Sequence, residues 1–339
     1  MSTDPTERAL ILFPGALGDF VCFLPAVKRI ARTARVDLFA KSEFADLVPT
    51  SVAVYSLDSG VISQLFAPDG GASPEVQRFF APYDTVYSWF GAAEPVFARE
   101  FERATKERGH LFPFRPTDGS VHQSDYYLSC LGETVFCFPI VAIDAAARAW
   151  CDQYWTRHEL QEKRVLALAP GSGAREKNWP VASYGVTADW WRRDFGGAVI
   201  VLLGPVEEER GGFEALRNIG LVSGALKLGR LAALLSRCAA YVGNDTGTTH
   251  LAAAVGVPTV AVFGPTDPNH WAPRGRRVAV VRRRLACSPC TIETMKSCDH
   301  RNCLAGLDAA NVMIALRSVV RIGNRTCSTR TGQTQIAAL

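Results

Sequence analysis

The sequence predicts an α/β fold built from two doubly wound, parallel-sheet domains, and three observations carry that prediction. Strand-like and helix-like segments alternate from Ala9 to Phe114. The alternation restarts beyond Pro139, from Val165 onward. Residues 240–265, AYVGNDTGTTHLAAAVGVPTVAVFGP, form a complete strand–loop–helix–strand unit. Such alternation implies parallel βαβ units, and a chain of 339 residues is long enough for two domains, each with its own core.

The elements follow in order. Ala9–Phe13 is an apolar strand stopped by Pro14 and Gly15, and a helix opening near Asp19 runs over Phe20–Thr33. Val36–Ala40 is a strand, Pro68–Pro74 a loop, Thr85–Trp89 a strand, Ala92–Arg108 a helix and Leu111–Phe114 a further strand. Pro139 breaks the pattern within a boundary at 134–150, and Asp144 caps a helix reaching about Glu159. Then come strand Val165–Ala169, helix Val181–Phe195, strand Ala198–Leu203, helix Glu207–Asn218 and helix Leu228–Arg237. Ala240–Val242 and Val257–Phe263 are strands around a helix, Thr248–Val255. Apolar residues at 312, 313, 316, 319 and 320 mark a helical stripe over Asn311–Ile322. The expected organisation is a first domain over 1–143, a second over 144–308, a C-terminal helix over 309–323 returning to the first domain, and a disordered tail over 324–339, which is rich in Thr, Ser, Gln and Gly.

Composition narrows the function classes. Hydrophobic residues at 48% and charged residues at 21% are ordinary for a soluble α/β enzyme. A net charge of +4 is too small to argue for nucleic acid, but suits an anionic substrate or a glancing membrane contact. No apolar run approaches a transmembrane length, and the polar N-terminus MSTDPTER is unlike a signal peptide. A cytoplasmic protein is expected, in which ten cysteines are not by default a disulfide framework.

Residues 240–265 also carry the first chemical signal. Asp245, Thr246 and His250 gather at the C-terminal edge of a parallel sheet, where open α/β sheets bind ligands. Free N–H groups at the start of the helix would hold a phosphate, and Gly247 would let the backbone approach it. The competing reading is an N-cap Asp on a packing helix.

Two more segments join this one. ALILFPGALGDFVCFLPAVKRI holds Leu17-Gly18-Asp19 after the first strand, and LALAPGSGAREKNWPVASYGVTADWW holds Pro170-Gly171-Ser172 followed by Lys177-Asn178-Trp179-Pro180. With Asp245-Thr246-Gly247-Thr248-Thr249-His250, in this order and spacing, the chain resembles the bacterial ADP-heptose:lipopolysaccharide heptosyltransferases of glycosyltransferase family 9. The resemblance spans roughly residues 8–320, weakest over 50–160. Phe13-Pro14-Gly15 departs from an Arg that the family often carries before the Leu-Gly-Asp turn, which bears on acceptor contacts there. The resemblance implies the GT-B architecture: two Rossmann-like domains facing across a cleft.

Transfer of a sugar from a nucleotide diphosphate needs a base for the acceptor hydroxyl and positive charge for the departing diphosphate. Asp19 matches the family's proposed base; by position alone it caps the helix that follows. Lys177 is the candidate for diphosphate and sugar contact, against the reading of a solvated Lys beside Glu176. Ser172 and Gly173 offer a hydroxyl and amides to the same phosphates, as do the amides of Thr246 and Gly247. Asp245 and His250 contact sugar hydroxyls or order the loop, with His250 alternatively a packed helix residue. Glu207 or Glu208, beyond Leu203-Gly204-Pro205, would bind the ribose hydroxyls or serve only as helix N-terminal acids. Leu226 lies where the family places an adenine-facing side chain. No Asp-x-Asp motif stands at a strand end of the second half, so no metal cofactor is expected for catalysis.

Two further groups stand apart. Cys287, Cys290, Cys298 and Cys303 have a spacing compatible with a structural zinc or iron site, with His300 as a substitute ligand, or are free thiols. A branch of the family binds iron through such a motif. Lys28, Arg32 and Arg35 share one helix face by spacing, and with Gly18 would meet an anionic acceptor, or they form a solvated face. The expected function is inverting transfer of a heptose from ADP-heptose to an anionic lipopolysaccharide inner-core glycolipid, at the inner face of the cytoplasmic membrane. The alternatives are a GT-B transferase using another nucleotide sugar with a protein or small-molecule acceptor, and a noncatalytic sugar-nucleotide-binding protein.

Overall fold

The structure, a computed structural model, describes residues 6–117, 119–321 and 335–338. The chain divides into two compact units, Met1–Cys137 and Phe138–Leu339.

The first unit contains β1 (Glu7–Leu12), α1 (Leu17–Ile30), β2 (Ala34–Ala40), β3 (Val52–Ser56), α2 (Gly60–Ser63), α3 (Pro74–Phe80), β4 (Thr85–Ser88), α4 (Pro95–Thr105), β5 (Gly109–Leu111) and α5 (Gln123–Ser129). Its strands form one parallel sheet in the order β3-β2-β1-β4-β5. The strand order reverses at β1, so the carboxyl ends of β1 and β4 flank a topological switch point. β1 is central because Leu10, Ile11 and Leu12 are fully buried, with apolar side chains for both faces of the sheet.

The second unit contains α6 (Ala145–Arg157), β6 (Val165–Ala169), α7 (Val181–Phe195), β7 (Ala198–Leu202), α8 (Pro205–Arg210), β8 (Leu221–Ser223), α9 (Leu228–Arg237), β9 (Ala240–Asn244), α10 (Gly247–Ala254), β10 (Thr259–Phe263), α11 (Pro268–Trp271), β11 (Val278–Arg282), α12 (Ile292–Ser297), α13 (Asn302–Ala305), α14 (Ala309–Arg321) and β12 (Gln335–Ala338). These strands are all parallel, in the order β12-β11-β10-β9-β6-β7-β8. The switch point lies between β6 and β9. Both units are therefore doubly wound α/β sheets, as the alternation of elements predicts. No helix among the described residues is long and apolar enough to cross a membrane.

Several expectations need correction. The helix after β1 begins at Leu17 rather than near Asp19, which puts Gly18 and Asp19 inside its first turn. It ends at Ile30, so Arg32 lies in the following turn and Arg35 in β2, and the three basic residues share no helix face. The segment expected as one helix over Glu207–Asn218 is broken, because Gly211 and Gly212 take left-handed φ values of 64° and 87° that end α8 before a 3-10 turn at Glu214–Asn218. β3 and β8 carry no clear alternating pattern, and the sequence reading omits them. The last helix packs into the second unit's own core: Val312, Leu316 and Val319 cover the sheet beside Val260, Val262 and Trp190. Of the tail expected over 324–339, only Gln335–Ala338 is described, as a strand pairing with β11; residues 324–334 and 339 lie outside the described residues. Asp144 does cap α6, accepting the Ala147 N–H at 2.7 Å.

Gly243 in β9 shows how tightly the second sheet is packed. A Cβ there would lie 2.2 Å from the Tyr241 hydroxyl and 2.8 Å from Thr249 Oγ1. Gly243→Ala is expected to destabilise the protein by about 1–3 kcal/mol through overpacking, read as a lower urea midpoint. Adding Tyr241→Phe, which removes the nearest atom, should recover part of the loss. An unchanged midpoint in the single variant would show that the strand absorbs the methyl.

Candidate functional site

The sites expected from the sequence fall at the carboxyl ends of the two switch points. In the first unit, β1 ends at Leu12 and the chain turns through Phe13–Ala16 into α1. Gly15 permits this turn: a Cβ there would lie 2.5 Å from the Phe13 ring and 2.7 Å from the Asp19 Cβ. Asp19 Oδ2 accepts the Ala16 N–H at 3.1 Å, closing the first turn of the helix, so the capping contact is real. Asp19 Oδ1 accepts from Arg115 Nη1 at 2.6 Å. Arg115 stacks over Phe114, 4.3 Å from the ring centroid.

Lys28 and Arg32 are exposed but lie far from Asp19. Lys28 is nine residues along α1 from Asp19, about 14 Å at 1.5 Å per residue. A helix following a strand runs back towards that strand's start, so both cations stand at the opposite edge of the sheet from Asp19. Arg29, between them, pairs with Glu133.

In the second unit, one buried side chain organises the site. Asn244, the last residue of β9, is fully buried. Its Nδ2 donates to the Pro170 carbonyl at 2.7 Å, and its Oδ1 accepts the Trp179 N–H and the Tyr184 hydroxyl, both at 3.0 Å. The loop after β6, which carries Gly171, Ser172 and Gly173, is thus tied to β9 and to the start of α7. Ser172 Oγ lies 2.5 Å from the Ala174 carbonyl and 2.7 Å from the Asn178 side-chain amide. Its hydroxyl shapes the loop instead of pointing freely at a ligand, because its one proton is already engaged. Around Gly173 the space is open: nothing lies within 4 Å of the position a Cβ would take.

Lys177 is not a solvated surface lysine. Its Nζ donates to Asp245 Oδ2 at 2.9 Å, and the same oxygen accepts from Thr266 Oγ1 at 2.8 Å. Asp245 is buried, so this pair is partly shielded from water. The cap of α10 is Thr246, not Asp245: Thr246 Oγ1 accepts the Thr248 N–H at 3.2 Å, while the Asp245 N–H is used by the Val262 carbonyl. That frees the Asp245 carboxylate to hold Lys177. Thr246 and Gly247 are half-buried at the helix start, and His250 is buried one turn further on.

The acids after β7 divide. Glu207 Oε2 accepts the Gly204 N–H at 2.9 Å, and a Cβ on Gly171 would fall 2.1 Å from Glu207 Oε1. Glu207 therefore bends over the loop after β6. Glu208 turns the other way, its Oε1 2.6 Å from where a Cβ of Gly224 would sit, at the end of β8 near half-buried Leu226. A pocket of about 280 Å³ opens between Ser172, Trp179, Glu207 and Phe213, with Arg175 and Arg301 at its rim. Lys177 and Asp245 do not line it.

The four clustered cysteines lie near enough to act on one another electrostatically. Cys290 Sγ donates to the Cys287 carbonyl, Cys298 Sγ lies 3.7–3.8 Å from the His300 ring nitrogens, and Cys303 is buried in α13. Among the described residues no three His, Cys, Asp or Glu side chains are grouped to hold a metal ion. Burial first, and then the neighbouring thiols, push Cys290 and Cys303 above the ordinary thiol range.

Sequence reasoning missed Arg115, Thr266, Asn178 and Tyr184. Arg115 is 96 residues from Asp19, and no local pattern links them. Thr266 carried a usable signal, since it follows Gly264-Pro265 at a strand end of the same sheet.

Comparison with known proteins places this geometry. Residues 138–299 match the model of glycosyltransferase family 9 (heptosyltransferase). Lipooligosaccharide heptosyltransferase 2 of Haemophilus influenzae is 30% identical over 132 residues, 36% of this chain and 38% of the relative. Lipopolysaccharide heptosyltransferase 1 of Pseudomonas aeruginosa is 35% identical over 138 residues, 38% of this chain and 37% of the relative. The chain thus spans under two fifths of the length of these curated relatives. Two solved structures share the fold over most of their length: a family 9 glycosyl transferase from Veillonella parvula, with TM-score 0.74, 20% identity and coverage of 94% and 98%, and ADP-heptose heptosyltransferase II from Escherichia coli, with TM-score 0.67, 17% identity and coverage of 94% and 100%. Residues 138–299, within the second unit, are thus similar to glycosyltransferase family 9 (heptosyltransferase).

Asn244→Ala would leave the Trp179 N–H, the Tyr184 hydroxyl and the Pro170 carbonyl without their partner in the interior. The expected loss is on the order of 3 kcal/mol, measured by urea unfolding. A loss below about 0.5 kcal/mol would show that the loop is held by other means.

Proposed function

We propose that this chain is an inverting glycosyltransferase that moves a heptose from ADP-heptose to an anionic acceptor of the lipopolysaccharide inner core, working at the inner face of the cytoplasmic membrane without spanning it. The observation that carries the reading is the Lys177–Asp245–Thr266 constellation at the ends of β9 and β10, beside the loop after β6 and the start of α10. Asp245 holds the Lys177 ammonium in place, so its charge is preorganised for a diphosphate. The amides at Gly173, Thr246 and Gly247 add fixed partial positive charge. Glu208, turned towards the end of β8, and half-buried Leu226, two residues beyond Gly224, suit the nucleoside, with Glu207 in support.

Asp19 in the first unit is the base in this reading. It takes the proton from the acceptor hydroxyl as the oxygen attacks the anomeric carbon. The bond from that carbon to the β-phosphate oxygen breaks, and the electron pair leaves with ADP. One displacement inverts the anomeric centre. Lys177 and the helix-start amides stabilise the growing charge on the diphosphate. The match to the family 9 model and the heptosyltransferase names of the curated relatives support this assignment.

Two measurements test it. ADP and ADP-heptose should raise the melting temperature selectively over UDP, GDP and CMP, because a ligand that binds only the native state stabilises it in proportion to its concentration over Kd. A preference for UDP or GDP would leave the fold and remove heptosyl transfer. Asp19→Ala should lose transfer to heptose-free inner-core lipopolysaccharide while keeping the ADP-induced shift, and undiminished turnover in that variant would sink the assignment of the base.

A further inference from the structure

Asp19 has both oxygens occupied by different partners, and one of them comes from a distant part of the chain. The Ala16 N–H holds Oδ2, a contact that any helix with an acid at this position can make. The Arg115 guanidinium holds Oδ1 at 2.6 Å from the segment that follows β5. We propose that Arg115 is a positioning residue for Asp19, fixing the plane of its carboxylate so that one oxygen edge meets the acceptor hydroxyl. The inference rests on Asp19 being the base, as argued above.

Three features separate this pair from an ordinary surface ion pair, which contributes little. First, the Asp19 side chain is only 12% exposed, so its partner is not readily replaced by water. Second, the guanidinium is itself held. It lies 4.3 Å over the Phe114 ring, Phe114 meets Phe13 edge-on at 5.8 Å, and Phe13 stacks on Phe23 of α1 at 4.2 Å. Phe23 is four residues beyond Asp19, so the arginine is referenced to the same helix that carries the acid it orients. The aromatic stack also lowers the entropy cost of holding a long side chain in one place. Third, Tyr127 packs edge-on against Phe13 at 5.6 Å and against Phe23 at 5.1 Å, giving the pair an apolar wall. Burial, followed by the charge of Asp19, pushes the Tyr127 phenol far above its ordinary value, which keeps it neutral beside the carboxylate.

A two-point clamp removes rotation about the last bond of the Asp19 side chain. Without Arg115 the Ala16 N–H alone leaves that torsion loose, and a misplacement near 1 Å costs catalysis about 100-fold. A partly buried carboxylate stripped of its counter-charge is also strained in its resting place. Both consequences fall on the chemical step and not on donor binding, which belongs to the second unit.

The test uses the full chain with ADP-heptose and heptose-free inner-core lipopolysaccharide, following ADP release, with far-UV circular dichroism to confirm folding. Arg115→Gln should lower kcat about 100-fold while KM for ADP-heptose changes less than about twofold. Arg115→Lys, which restores charge without the planar fork, should recover part of kcat. In an Asp19→Asn background, Arg115→Gln should add no further loss, because the two act as one unit. An acceptor KM that rises with kcat unchanged would overturn the proposal and make Arg115 an acceptor contact. Losses that add in the double variant would also overturn it. Asp19→Asn itself separates the two layers of the argument: wild-type turnover there removes the base and Arg115's role with it, whereas an inactive Asp19→Asn beside a fully active Arg115→Gln removes only the role of Arg115.

Discussion

The second unit's site depends on the side-chain amide of Asn244. It is the last residue of a fully buried strand and has no access to water. A polar group in that position must find partners inside the protein. It finds them in the Pro170 carbonyl, the Trp179 N–H and the Tyr184 hydroxyl, which belong to the loop after β6 and to α7. The requirement that one amide be satisfied therefore fixes the glycine-rich loop against the neighbouring strand. Trp179 is held a second time, its Nε1 donating to the Leu307 carbonyl at 3.0 Å. Lys177, two residues before Trp179, follows from that anchorage.

On this frame the charges are arranged in pairs. Lys177 meets Asp245 in the second unit, and Arg115 meets Asp19 in the first. In each, a half-exposed cation contacts a mostly buried carboxylate at a strand or helix end. In the proposed function such pairs, held ready by the fold, cost little to orient when a ligand arrives. The glycines nearby serve the same end. Gly15 lets Asp19 and the Phe13 ring approach each other, and Gly171 lets the Glu207 carboxylate lie over the loop.

The legible and illegible parts divide by range. Long apolar strands and capped helices were readable because their signals are local: Asp144 before α6, and Val165–Ala169 as a continuous buried run. The break at Gly211 and Gly212 was visible in composition but outweighed by the acid-rich helical pattern around it. Spacing alone puts Lys28, Arg32 and Arg35 on one helix face, but the helix ends at Ile30 and the last two lie beyond it. The cysteine spacing brings four thiols into one neighbourhood, where Cys290, Cys298 and Cys287 all act on Cys303.

What the sequence alone determined was the class of each unit, the parallel alternation, and the three segments that carry Asp19, Lys177 and Asp245. Periodicity and turn residues act over a few positions, and that range is enough to define strands, helices and the ends at which polar residues collect. What only the tertiary structure decided was partnership. Arg115 reaches Asp19 across 96 residues, and Lys177 reaches Asp245 across 68. α14 joins the second unit's core because the β10–β11 face needs an apolar cover. These choices follow from burial and hydrogen-bond satisfaction in three dimensions, and no pattern confined to neighbouring residues encodes them.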